Sequence, residues 1–301
     1  MPMTFSEGGG FEGGRVGTRR GGGRGVAVGG GGIGLAVVAF LIYQFTGVDV
    51  SGQLSSLQGG VQNAGGQEEI GTIGDCSVAQ ANEQRDCRLS ATVQSLDVFW
   101  EATLPQAGTR LEVPDVWAFD AATSTGCGDA TSATGPFYCP LDQSIYMDLT
   151  FFDLLQSRFG ASGGALAEMY VTAHEYGHHI QNQLGTMDNI DRRGTGPESD
   201  GVRLELQADC YAGMWVGDAA TREDPDRPGV TFLEPITQDQ LADALSAAEA
   251  VGDDHIQGQS GGGINPDLWT HGSSEQRQRW FTIGYEQGSL GACDTFSTDQ
   301  L

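Results

Sequence analysis

The sequence predicts an α+β domain, mostly helical around a small sheet and preceded by one transmembrane helix. Three observations carry that expectation. Val26 to Phe45 is a twenty-residue apolar stretch without a charge. Beyond it, several segments show helical spacing while Ser144 to Leu149 alternates as a strand does. All six cysteines lie after the apolar stretch.

Glycine supplies 15 of the first 34 residues, with few large apolar side chains between. Residues 1–25 therefore read as a disordered Gly/Arg-rich tail. Arg15, Arg19, Arg20 and Arg24 against Glu7 and Glu12 make the tail slightly basic, which places it on the cytoplasmic side. Residues 26–46 are long enough to cross a bilayer once. A cleaved signal peptide is the competing reading, with Arg19-Arg20 as a twin-arginine pair. No A-x-A pattern soon follows Phe45 and glycines follow Arg20, which favours an anchor. Both readings export the remainder. The expected location is the cell membrane, single-pass, with a cytoplasmic tail and an extracytoplasmic domain. Residues 47–75 have linker composition, rich in Ser, Gly, Gln and Asn, and the domain is expected to span residues 76–301.

Charge narrows the partners. There are 40 Asp+Glu against 15 cations, all of them arginine, for a net charge of −25. A field of that sign repels phosphate, which argues against nucleic acid or anionic lipid as the main partner.

Leu89, Val93, Leu96 and Trp100 recur at near-helical spacing ahead of Pro105, giving a helix that ends before the proline. Ile145, Met147 and Leu149 alternate as in a half-buried strand, read as the sheet edge beside the active site. Phe151 to Phe159 reads as a short helix stopped by Gly160. Ser162 is the expected N-cap of a longer one running to Leu184, with Gly185 as its stop. After a loop, a helix is expected over residues 202–217. Thr237 with Gln240 fits a capping box for another that ends near Gly252, and the last runs from about Ser273 to Glu286.

Exported cysteines in even number suggest disulfides. Proximity favours Cys76 with Cys87 and Cys127 with Cys139, leaving Cys210 for Cys293, among fifteen possible pairings; buried free thiols are the rival reading. No spacing is C-x-x-C, which argues against a cysteine zinc site.

The chemistry lies in His174-Glu175-Tyr176-Gly177-His178. Histidines four apart share one face of a helix and can grip a single zinc ion. Glu175, about 100° round, is placed to act as general base on a metal-activated water. A catalytic zinc needs a third protein ligand and an open position. Glu205 is the candidate, with Glu198, Asp200 and Glu223 as substitutes. Asp209, one turn on, would support a ligating histidine through its second ring nitrogen. His179 reads as a packing or surface residue and His255 as exposed in an acidic loop.

These residues resemble the bacterial family of neutral zinc metallopeptidases, which is membrane-anchored, over nearly the whole chain. The resemblance rests on Gly135-Pro136-Phe137-Tyr138-Cys139-Pro140, Ile145-Tyr146-Met147-Asp148-Leu149, His174 to Gln181, Arg203-Leu204-Glu205-Leu206-Gln207-Ala208-Asp209-Cys210 and Thr270 to Arg277. More distantly, H-E-x-x-H followed by E-x-x-x-D is similar to the HtpX and CAAX-protease metallopeptidases. That similarity implies Glu205 as ligand, Asp209 as its supporting carboxylate, and a role for His271 in polarising the substrate carbonyl. The relatives carry His-Pro where this chain has His271-Gly272, and they have several membrane spans.

The expectation is a zincin-like metallopeptidase domain, an endopeptidase holding one Zn2+ and cleaving peptide or protein substrates laid along a sheet edge. The alternatives are a non-catalytic zinc-stabilised binding or adaptor module at the cell surface, and an envelope protein whose histidines bind no metal.

Overall fold

A computed structural model describes residues 4–20 and 69–301, apart from positions 121, 133, 189, 192–193 and 260–263. The stretch expected to span a membrane and most of the linker lie outside the described residues. Among the described residues, no helix is long and apolar enough to cross a membrane.

Nine strands and eight α-helices are described. The strands are β1 (Gly10–Phe11), β2 (Gly17–Arg20), β3 (Glu69–Thr72), β4 (Cys76–Ser77), β5 (Asp115–Asp120), β6 (Ala122–Thr125), β7 (Gly128–Thr131), β8 (Phe137–Cys139) and β9 (Ser144–Asp148). The helices are α1 (Val78–Glu83), α2 (Arg85–Thr103), α3 (Phe151–Phe159), α4 (Ala165–Gln183), α5 (Asp200–Ala219), α6 (Gln238–Ala250), α7 (Asp253–Gln259) and α8 (Ser274–Gln287). The architecture is α+β, as the sequence predicts.

Local chemistry sets most helix ends. Pro105 opens a short 3-10 turn directly after α2, since a proline ring inside the helix would remove a hydrogen bond and clash with the preceding turn. Gly160 and Gly185 stop α3 and α4 at φ 72° and 73°, a conformation costly for any residue with a Cβ. Thr237 and Ser273 form capping boxes with Gln240 and Gln276. Ser162 does not cap α4: Gly164 takes that position without a side-chain bond.

The main sheet has the order β3-β2-β5-β9-β8, with β2, β5 and β9 parallel and the two outer strands antiparallel to their neighbours. This corrects the edge assignment. The strand from Ser144 lies between β5 and β8, and all five of its residues are buried. Its alternation is real, because Ile145 and Met147 face the main core while Tyr146 packs with Phe119, Phe137 and Cys139 on the other face. Both faces are covered, so the strand is buried rather than half-buried. The edge next to α4 is β8.

The disordered-tail expectation is corrected as well. Residues 4–20 are folded into the domain: Phe5 and Val16 are fully buried, Phe11 nearly so, and β2 is a strand of the main sheet. Residues 69–75, expected as linker, supply β3, which pairs with β2. The few large side chains among the glycines are the ones that anchor the segment.

The three disulfides are Cys76–Cys87, Cys127–Cys139 and Cys210–Cys293, as proximity suggested, with Cα separations of 5.6, 5.8 and 5.5 Å.

On the other side of α4, α5 packs across it and α8 packs across α5. The α5–α8 crossing is close enough to require glycine on both sides. A Cβ at Gly213 would stand 2.0 Å from the Phe281 carbonyl oxygen, and one at Gly284 would stand 1.9 Å from that of Cys210. Both substitutions to alanine are expected to lower unfolding stability by at least about 2 kcal/mol. Gly258→Ala, on α7 with nothing within 4 Å of an added Cβ, should be neutral or stabilising by up to about 1 kcal/mol. Urea midpoints of the three variants test the ranking.

Candidate metal centre

The middle of α4 is buried on every side from Leu166 to Gln181, because sheet and helices enclose it. That burial holds His174 and His178 in fixed rotamers, one turn apart, with ring centroids 4.7 Å from each other. Gly177 lies between them on the face toward α5, where an added Cβ would meet Ala208 at 3.1–3.3 Å. The missing side chain lets α5 approach closely enough for Glu205 to reach both rings. Its Oε2 is 3.2 Å from His174 Nε2 and its Oε1 is 3.3 Å from His178 Nε2. One ligand atom from each of the three residues falls within 4.8 Å of the others.

The opposite ring nitrogens are already engaged. His174 Nδ1 lies 2.8 Å from Asp209 Oδ1, and His178 Nδ1 lies 2.9 Å from Gln181 Oε1. The Gln181 amide can be oriented only one way, because its Nε2 donates to the Leu204 carbonyl at 2.6 Å and to Gln207 Oε1 at 3.1 Å. Gln207 is oriented in turn by donating to the Cys293 carbonyl at 3.0 Å. His178 Nδ1–H therefore donates to Gln181, which leaves Nε2 as the ring nitrogen turned toward Glu205 and toward a metal. Two imidazole nitrogens and one carboxylate, at the end of a cleft, form the donor set of a hydrolytic zinc site with room left for water. The residues fit the metal.

Asp209 is fully buried and accepts four hydrogen bonds: from Tyr170 Oη at 2.5 Å, His174 Nδ1 at 2.8 Å, and Arg277 Nε and Nη2 at 2.8 and 2.9 Å. Burial alone would raise its pKa, but Arg277 and His174 outweigh that and hold it below the usual carboxylate value. Glu205 is likewise held well below its usual value by the two histidines, against burial. Burial opposes charge on His174, yet Asp209 and Glu205 raise it to about 10, so a metal entering the site must displace a proton.

Glu175 points into the same cleft. Burial pushes its pKa up, against the pull of His174 and His178, and the Tyr138 backbone N–H of β8 donates to it. His271 is brought to the cleft too. Asp253, at the start of α7, accepts the backbone N–H groups of Thr270, His271 and Gly272 on one oxygen at 2.7, 2.7 and 3.1 Å. Its other oxygen is 3.2 Å from His271 Nδ1. Burial lowers the His271 pKa, but Asp253 raises it more, leaving it above the ordinary value. The cleft holds about 130 Å³ between the charged floor and an apolar wall that includes Phe137, Phe151, Leu155, Phe159, Val171 and Ile256.

Every residue singled out in the sequence for the site is thus gathered here: His174, Glu175, His178, Glu205, Asp209 and His271. The substitutes Glu198, Asp200 and Glu223 are not in the group. His179 is a buried packing residue, its Nε2 donating to the Glu112 carbonyl at 2.6 Å and its ring beside Tyr138, and burial lowers its pKa to about 4. His255 is not an exposed loop residue; it lies half-buried in α7 with Nε2 2.8 Å from the Phe159 carbonyl. Sequence reasoning assigned no role to Arg277, Gln181, Tyr170 or Asp253. An arginine in the first turn of α8 and a glutamine three residues after His178 were the only available signals, and neither type has a characteristic spacing to a metal.

The family described as "Putative neutral zinc metallopeptidase" matches residues 7–296, and the chain belongs to it. It is 50% identical over 223 residues to the uncharacterized protein Rv2575 of Mycobacterium tuberculosis, covering 74% of each chain. It is 33% identical over 268 residues to the uncharacterized protein YpfJ of Escherichia coli K12, covering 87% of this chain and 85% of that one. No solved structure matches the chain.

The buried Asp209–Arg277 pair joins α5 to α8, so removing either partner leaves the other's buried charge without its main counter-charge. Asp209→Leu and Arg277→Met are each expected to cost about 3–5 kcal/mol in the metal-free protein, and the double variant far less than their sum. Urea unfolding of the three proteins gives the coupling directly.

Proposed function

We propose that the protein is a zinc-dependent endopeptidase with a zincin-like site, in which His174, His178 and Glu205 hold one metal ion and Glu175 is the general base. The observation that carries this reading is the convergence of three ligand atoms whose outward orientation is enforced from behind by Asp209 and Gln181. Zinc bound there supplies a Lewis acid and lowers the pKa of a bound water to about 7. The chain's own residues do the rest. Glu175, buried and with its pKa raised, takes a proton from the attacking water and returns it to the leaving amine. His271, held by Asp253 with its own pKa raised, donates to the carbonyl oxygen as negative charge develops on it.

A substrate strand would add to β8, the sheet edge beside α4, through main-chain hydrogen bonds. The apolar wall of the cleft favours bonds flanked by a bulky aliphatic or aromatic side chain. Three disulfides that use all six cysteines support a domain working outside the cytoplasm.

The purified protein is expected to hold one zinc per chain, lost on substituting His174, His178 or Glu205 by alanine. Glu175→Gln should keep the zinc and lose cleavage of a peptide library by about 10²-fold or more. The wild-type cuts should cluster beside Phe, Leu, Ile or Met. Zinc in both proteins with cleavage by neither would replace this reading with that of a zinc-stabilised adaptor. Gln181→Leu should weaken zinc binding by about 10–100-fold, measured by chelator competition.

A further inference from the structure

Residues 4–20 come before the apolar stretch in the chain, yet they are held by the domain that follows it. Thr4 and Phe5 donate their backbone N–H groups to Asn82 Oδ1 at 3.0 and 2.9 Å. Ser6 N–H reaches the Phe232 carbonyl, and Glu234 N–H reaches that of Thr4. Gly14 and Val16 exchange backbone bonds with Ile73. Phe5 and Phe11 stack edge to face, 5.2 Å apart, within the main core. Phe5, Phe11 and Val16 are buried in that core, and removing three such side chains from water offsets much of the cost of ordering the segment. Among the described residues β3 pairs in the main sheet only with β2, so it is through residues 17–20 that residues 69–72 join that sheet.

The segment also reaches the back of the metal-motif helix. Arg15 grips Asp97 of α2 with two bonds, Nε at 2.5 Å and Nη2 at 2.9 Å, and also donates to the Pro114 carbonyl. The same Asp97 Oδ1 accepts the hydroxyl of Tyr176 at 2.8 Å. Tyr176 is fully buried and stands between Glu175 and Gly177, on the side of α4 turned away from the cleft. Asp97 thereby clamps α4 to the amino-terminal segment. Without Arg15, the carboxylate would be left partly buried against a tyrosine hydroxyl with its main counter-charge gone.

We infer that Arg15 is a positioning residue for the metal-motif helix, and that residues 4–20 lie on the same side of any membrane as residues 69–301. Arg20 is paired with Glu69, so the chain leaves the sheet and rejoins it at adjacent positions. A single crossing between them would put β2 and Arg15 on the opposite side from the sheet, core and Asp97 that hold them. The expected cytoplasmic tail with an extracytoplasmic domain is incompatible with this packing. The side of residues 4–20 follows from the packing alone; the role of Arg15 in turnover rests on the proposed peptidase.

The two parts are tested separately on the full chain. Different epitope tags ahead of Met1 and after Leu301, with protease added to spheroplasts and to inverted vesicles, should be digested together from one face. Digestion from opposite faces would overturn the inference whether or not the protein cleaves peptides. In the purified protein, Arg15→Ala should lower kcat by about tenfold or more, with one zinc retained and KM changed less than twofold. Arg15→Lys should restore most of the loss. Unchanged kcat in Arg15→Ala, or no rescue by lysine, would remove Arg15 from its positioning role. A wild type that holds zinc but cleaves nothing would instead count against the peptidase reading and leave the tag result standing.

Discussion

Asp209 is a fully buried carboxylate, and a charge in a protein core is tolerable only where other groups replace the water it has lost. Here Tyr170 and His174 of α4 and Arg277 of α8 do so, while Asp209 itself belongs to α5. One side chain thus ties together three helices that are far apart in sequence. The arrangement also sets the direction of His174, since the nitrogen held by Asp209 leaves the other facing His178 and Glu205. Stability and site geometry are therefore the same interaction seen from two sides.

Close helix contacts make that interaction reachable. Gly177 lets α5 come up to α4, and Gly213 and Gly284 let α8 come up to α5. Without these approaches the carboxylates on α5 would stop short of the histidines, and Arg277 short of Asp209. The disulfide Cys210–Cys293 and the Gln207 bond to the Cys293 carbonyl add the carboxy-terminal segment to the same stack. The two candidate ligating histidines are supported differently, His174 by a charged carboxylate and His178 by a neutral amide. A carboxylate behind His178 as well would have added another negative charge to those of Asp209 and Glu205 in a region of low dielectric, where like charges repel strongly.

The cleft has one charged side and one apolar side. Glu175, Glu205, His271 and Arg277 form the first; Phe137, Phe151, Leu155 and Phe159 are prominent in the second. Low-dielectric walls strengthen the electrostatic interactions of the charged groups across the cleft, and burial is what shifts the pKa of Glu175 upward. The Tyr138 N–H that meets Glu175 comes from β8, so the sheet edge and the proposed base are held in register by a hydrogen bond between them.

Much of this was legible in the chain because it depends on local periodicity. Histidines at i and i+4, a carboxylate pair at the same spacing in Glu205 and Asp209, a capping box at Thr237, and helix stops at Gly160 and Gly185 all declare themselves within a few residues. The nearest-neighbour disulfides did so too. What only the tertiary structure decided were pairings between distant segments. Which strand is the edge depended on β8 adding outside β9, and alternation reports a strand's faces but not its neighbours. The pairing of His271 with Asp253, the capture of Asp209 by Arg277 and the hold of Gln181 on His178 are side-chain bonds with no fixed sequence spacing. The amino-terminal segment is the clearest instance. Its glycine content reads as disorder because a lone segment so poor in large side chains cannot offset its own ordering entropy. The sheet that receives it supplies backbone partners and a core already formed, and three buried side chains with one arginine are then enough to hold it.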